Sequence, residues 1–267
     1  MTVNSNFCMN IMKTLLTITF LLLTLQLSAW GFKAHYVIAE MAEQNLTPKA
    51  KAKVDDMLDG KKMVYWADWM DKVRSDNTYD FTATWHFANV DSGQTYESMP
   101  KVETGDVVTA TELAITMIQS NTESDSIKTM YLKFLIHLIG DLHCPMHAGR
   151  STDLGGNRHP VTWFGNETNL HRLWDSQLLE SARQWSYSEW ADNLMAGITT
   201  TDIAQMQQGT PREWFSETAK IADFIYKNTP QNQNHSYKYI YENSHILEEQ
   251  LTLAGYRLAY ILNMIFD

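Results

Sequence analysis

The chain has 267 residues, with 21 lysines and arginines against 31 aspartates and glutamates and a formal charge of −10. That acidic surplus excludes a broad basic face for duplex nucleic acid, so any nucleic-acid contact must be local. Glycine and proline are sparse, at 12 and 6, and no repeat or low-complexity linker divides the sequence, which leaves one sizeable core.

Residues 1–29 read as a secretory signal peptide. Lys13 precedes the apolar run from Leu15 to Leu25, and Gln26-Leu27-Ser28-Ala29 offers a small-residue cleavage site. Cleavage there makes Trp30 the N-terminus of a domain spanning 30–267 and leaves Cys144 as its only cysteine. The expected product is secreted or periplasmic, monomeric, free of disulfides and not inserted in a membrane.

That domain reads as helical nearly throughout. Apolar spacing at the helical period marks 33–45, and Thr47-Pro48 is an N-cap followed by proline at the first helical position of a helix reaching Leu58. An aromatic-rich helix is expected over 62–74, a polar loop over 92–106, and helices over 107–119 and 125–144, the latter ended by Pro145. Between 149 and 168 stand Gly149, Gly155, Gly156 and Pro160, and only 161–164 resembles a strand. Helices resume over 169–182, 187–197, 211–228 and 238–265, the last with a continuous apolar stripe from Leu247 to Ile265. The fold class is therefore all-α, a multi-helix bundle with at most a small β-hairpin near 158–166.

The chemistry-bearing residues sit in short segments. His137 and Asp141 are four apart on a predicted helix, so they project from successive turns of one face, and their neighbours are apolar. A buried carboxylate beside a histidine is costly unless it is paired or bound to a metal. His171 and Asp175 repeat the spacing, and His147 follows Pro145, where the helix has stopped. Taken alone, His137 is equally well read as a neutral core histidine hydrogen-bonded to Asp141. Asp71 and His86 are weaker by themselves, and Asp68, in Trp66-Ala67-Asp68, competes with Asp71 one turn earlier. Trp30 offers only its α-amino nitrogen and carbonyl, a chelate that exists at a true N-terminus. The remaining histidines, His143, His159, His235 and His245, default to structural or solvent-facing roles, and Cys144 to a buried thiol that is not a ligand.

On these segments, and through the late Ala254-Gly255-Tyr256-Arg257 stretch, the sequence resembles the zinc-dependent single-strand nucleases of the mung bean type. The resemblance implies a mostly helical fold shared with bacterial zinc phospholipase C, and three zinc ions. It implies that Asp71, His86, His137 and Asp141 hold one ion, that Trp30 and His35 hold a second with Asp141 bridging, and that His147, His171 and Asp175 hold a third. Asp71 is preferred to Asp68 because Arg74 stands three residues after it and His86 fifteen. Asp71 and Arg74 are the implied catalytic residues, Arg74 serving the phosphate charge or holding Asp71. Phe87 is implied to stack on an unpaired base, with Asn89, Leu154 and Asn157 lining the same pocket. The fungal members carry an aspartate where this chain has Asn89, a change from a pure acceptor to a donor and acceptor. The implied substrates are single-stranded DNA and RNA, cut to 5′-nucleotides, and 3′-nucleotides. A zinc phospholipase C is the competing enzyme. It places its first histidine further from the N-terminal tryptophan and ends its last pair in glutamate, unlike Asp175 here. A secreted zinc-binding protein without catalysis is the other alternative.

Overall fold

A computed structural model describes residues 31–267; the expected signal segment and Trp30 lie outside the described residues. Helices α1 (Phe32–Gln44) and α2 (Pro48–Met57) follow the expected spans, and the Thr47 hydroxyl caps α2 by accepting from the Ala50 amide. The helix expected over 62–74 is broken. It becomes α3 (Met63–Trp66), α4 (Trp69–Lys72) and a 3-10 turn, Val73–Ser75, followed by a second 3-10 stretch, Asn77–Thr82. The break falls at Asp68, whose carboxylate is engaged by the Tyr36 hydroxyl at 2.6 Å and by Lys72 at 2.8 Å.

Helices α5 (Val107–Gln119) and α6 (Asp125–His143) pack side by side. Pro145 ends α6 as expected and opens a 3-10 turn, Pro145–Ala148. The glycine-rich stretch leads to β1 (Pro160–Trp163) and β2 (Asn166–Asn169), an antiparallel hairpin with Trp163 opposite Asn166. Phe164 and Gly165 form its turn, both at positive φ, the backbone that a two-residue hairpin loop demands. A third strand, β3 (Asn234–His235), adds parallel to β1. It was not expected, because two residues carry no period to read.

The span expected over 169–182 forms as α7 (Leu170–Arg172), a π-helical turn Leu173–Gln177 and α8 (Leu178–Ala182). Then come α9 (Tyr187–Met195), α10 (Thr200–Met206), α11 (Pro211–Asn228) and α12 (Tyr237–Phe266). Helix α10 was missed, although Thr199 and Asp202 form a capping box at its start. Helix α12 buries Leu247, Leu251, Ala254, Leu258 and Leu262 against α1 and α6. Its buried Arg257 donates to His143 Nε2 at 3.0 Å, to Glu217 at 2.8 Å and to the Met206 carbonyl at 2.9 Å. His143 is thus structural, and burial with Arg257 beside it lowers its pKa to about 3. Among the described residues, no helix is long and apolar enough to cross a membrane.

Candidate metal centre

Asp141 lies at the centre of the site and is fully buried in α6. Its Oδ1 stands 3.3 Å from His35 Nε2 and 3.2 Å from His147 Nδ1, and its Oδ2 stands 2.9 Å from His86 Nδ1 and 3.1 Å from His137 Nε2. Asp71, on α4, brings Oδ1 to 3.8 Å from His86 Nδ1 and 3.9 Å from His137 Nε2. Asp175, in the π-helical turn, stands 3.6 Å from His147 Nε2 and 3.9 Å from His171 Nε2. All eight described side chains singled out as ligands therefore meet in one place. They come from α1, α4, the 85–90 segment, α6, the turn after it, and the α7 region.

The backbone aims the rings. His137 Nδ1 lies 2.7 Å from the Ala67 carbonyl, His147 Nδ1 2.7 Å from the His86 carbonyl, and His171 Nδ1 2.8 Å from the Gly155 carbonyl. A ring nitrogen committed to a carbonyl carries its proton, so Nε2 is the nitrogen that each ring turns toward a cluster carboxylate. His35 stacks on His137 with ring centroids 3.9 Å apart and planes 8° apart. Gly140 permits this. A Cβ there would lie 2.5 Å from His35 Nδ1, closer than a side chain tolerates. A glycine inside a helix costs stability relative to alanine, a signal that the sequence expectations did not use.

The residues fit a cation. His35 Nδ1 and Nε2, Asp71 Oδ1, His86 Nε2, His137 Nε2 and Asp141 Oδ1 are all buried without a hydrogen-bond partner. His35 Nε2 and Asp141 Oδ1 are close, yet not aligned for a hydrogen bond. Buried polar atoms are ordinarily satisfied, so this many together marks a binding centre and not a core. Three groups have donor atoms within 4.8 Å of one another: His35, His137 and Asp141; Asp71, His86 and His137; and Cys144, His147 and Asp175. Without a cation, charge is held by protons. Burial lowers His137, but Asp141 and Asp71 outweigh it and raise the ring to about 9. Burial and the neighbouring His137 lower His35 to about 4, whereas burial pushes Asp175 up to about 8 against the pull of His147.

A family model described as S1/P1 Nuclease matches residues 30–267. The chain belongs to the S1/P1 nuclease family. Endonuclease 3 of Arabidopsis thaliana is 29% identical over 266 residues, covering 89% of this chain and 89% of its own length. Endonuclease 5 of the same plant is 25% identical over 271 residues, covering 89% and 90%. Nuclease S1 of Aspergillus oryzae is 24% identical over 268 residues, covering 88% and 91%. An S1/P1 nuclease is an enzyme that hydrolyses nucleic acid, and the buried histidines and aspartates are its candidate metal site.

The other expected residues border this site. Arg74 reaches to 4.0 Å from Asp71. Phe87 is half-buried in a segment tied to the turn after α6, with the Ala88 amide donating to the His147 carbonyl and the Val90 amide to the Gly149 carbonyl, each at 2.9 Å. Asn89 faces Gly155, whose own φ of +65° and contact with the Met146 carbonyl leave no room for a Cβ. Leu154 is 41% exposed and left-handed, and the Asn157 amide donates to the Leu154 carbonyl at 2.9 Å, so that group is spent on the turn. Asp68 is not on the surface: it is 2% exposed and points to Tyr36. Cys144 is buried, but its Sγ approaches Asp175 Oδ1 at 3.9 Å, so the thiol set aside in the sequence stands at the edge of the third donor group.

Proposed function

We propose that this protein is a secreted or periplasmic zinc-dependent nuclease that cleaves single-stranded DNA and RNA to 5′-phosphorylated products and removes phosphate from 3′-nucleotides. The observation that carries the reading is the convergence of four buried imidazoles on Asp141, with His35 Nε2, His137 Nε2 and Asp141 Oδ1 left without hydrogen-bond partners. Zinc suits it, because the donors are imidazole and carboxylate. His35 and Asp141, with the Trp30 amine and carbonyl, would hold one ion; Asp71, His86, His137 and Asp141 would hold another; His147, His171 and Asp175 would hold the third. Bound zinc supplies Lewis-acid polarisation of the phosphate and activation of a water.

The chain's own groups do the rest. The Ala67, His86 and Gly155 carbonyls fix three rings before substrate arrives. Asp71 and His171, each 11% exposed, are the most open of the donors and mark the side from which a phosphate enters. Arg74 meets its charge there. Phe87 stacks on a base, which requires the base to be unstacked and so selects single strands. Asn89, able to donate as well as accept, sets a base preference different from that of an aspartate.

The signal segment 1–29 fits this reading. The Gly31 amide donates to the Asp175 carbonyl at 2.6 Å, so α1 begins beside the third donor group. An N-terminus created at Trp30 then completes the site only after cleavage. One residue added before Trp30 turns its amine into an amide, a poor ligand. Specific activity is expected to fall by more than about tenfold, with the circular dichroism unchanged; equal activity at matched zinc content removes the N-terminal chelate from the mechanism.

The deciding experiment is metal analysis of protein beginning at Trp30, beside assays on single-stranded DNA, RNA, a 3′-nucleotide and phosphatidylcholine. The expected result is about three zinc ions per chain, turnover of the first three substrates and none of the lipid. One zinc or fewer in active protein overturns the trinuclear assignment, and turnover of the lipid alone moves the reading to phospholipase C.

A further inference from the structure

Between residues 61 and 74 four basic side chains, Lys61, Lys62, Lys72 and Arg74, flank Tyr65, Trp66 and Trp69. Helices α3 and α4 gather these rings on one surface. Tyr65 and Trp66 meet edge to face at 5.0 Å, and Trp66 and Trp69 at 6.5 Å. Lys133 stands 3.4 Å over the Trp66 ring and Lys61 5.7 Å over Tyr65. Beside them runs a groove of about 300 Å³ lined by Tyr36, Tyr65, Trp66, Asp68, Trp69 and Lys72. Two features point to a ligand: Tyr65 is 61% exposed to water, and the Lys61 ammonium stands over its ring. The one acid in the groove is already engaged, by the Tyr36 hydroxyl and the Lys72 ammonium. Rings are therefore what the groove offers, with Lys61 and Lys133 over two of them, in a chain whose overall charge repels polyanions. On α4, Trp69 and Lys72 line the groove, and Asp71, on another side of the same helix, belongs to the candidate metal centre.

We propose that this groove is a second nucleotide subsite, holding a nucleotide of the single strand away from the scissile phosphate. Its base stacks against the exposed Tyr65 ring, and the adjoining phosphate lies beside Lys61. Stacking on aromatic rings with backbone neutralisation is indifferent to sequence, so the subsite adds affinity for length and not for a particular base. The inference rests on the nuclease reading, but its test reads binding separately from cleavage.

The probe is a fluorescein-labelled phosphorothioate oligothymidylate of about ten nucleotides, followed by anisotropy against Tyr65→Ala, Lys61→Gln and, as a distant control, Tyr241→Ala, an α12 residue 89% exposed. Tyr65→Ala is expected to raise Kd about tenfold. Lys61→Gln is expected to raise it less and to flatten the slope of log Kd against log salt by about 0.7, the share of one single-strand phosphate. The ratio of KM for a decanucleotide to KM for a dinucleotide should rise with the same variants. Melting temperatures within a degree of wild type show that the fold is intact. Unchanged Kd in both variants overturns the subsite. Binding differences of this kind in a wild-type protein that does not cleave the strand refute the nuclease reading while leaving the subsite in place.

Discussion

Asp68 and Asp71 lie one turn apart, yet their surroundings assign them opposite tasks. Asp68 is held by a tyrosine and a lysine, whereas Asp71 turns an unpartnered oxygen toward His86 and His137. Asp71→Asn is expected to cut turnover by more than about a hundredfold with little loss of stability. Asp68→Asn is expected to leave turnover within a few-fold and to cost about 1–3 kcal/mol, because a buried hydroxyl and an ammonium lose their charged partner. Urea unfolding beside steady-state kinetics checks both; a reversal would place the metal one turn earlier. Gly140 is the complementary case, a residue that acts by having no side chain. Gly140→Ala drives a methyl group into His35, 2.5 Å from Nδ1. The expected cost is about 1–3 kcal/mol of overpacking, with reduced zinc content measured on purified protein. Full zinc occupancy would show that α6 can shift away from α1 without disturbing the ring.

Among the elements, α5 is set by its first residue. Asp106, 2% exposed, accepts from the Val108 and Thr109 amides at 3.0 Å and also from the Tyr96 hydroxyl at 3.0 Å. Asp106→Ala is expected to cost about 2–4 kcal/mol, a lost cap plus an orphaned buried hydroxyl. Activity per folded molecule should be preserved, since α5 supports α6 without lining the metal centre. A shift in the urea midpoint below that range would mean water replaces the carboxylate. The element boundaries show why some spans were legible. Helices α2, α5 and α11 start at side-chain caps, and a cap is a local bond between residues three apart. The broken segment 62–74 was not legible, because Asp68 is drawn to Tyr36 on another helix.

At the scale of the molecule, helix α6 is the spine, packed by α1, α5, α11 and α12, with His137 and Asp141 projecting into the space between α1 and α4. Segments distant along the chain meet there through helix packing and through bonds such as that from His137 to the Ala67 carbonyl. With Cys144 as the single cysteine among the described residues, bound cations are the available staples. Chelation of the zinc is therefore expected to lower the melting temperature by about 5 °C or more, in addition to abolishing activity. A melting curve insensitive to chelator would mean that the packed helices alone preorganise the site.

The sequence by itself determined most of the helical spans, though not 62–74 or α10, with the small hairpin near 158–166 and the two His/Asp pairs, because caps, periods and i, i+4 spacing are written in neighbouring residues. It also carried the family, since the donor spacing from His35 to Asp175 is a property of the chain. Only the tertiary structure decided which lone pairs face inward, for the orienting carbonyl of His137 belongs to Ala67, seventy residues away. The same holds for the engagement of Asp68, the approach of Cys144 to Asp175, the demand for glycine at 140 and the groove that joins Tyr36 to Trp66. Each depends on the directions in which distant segments pack, and those directions are fixed by the burial of the whole apolar surface and not by any local period.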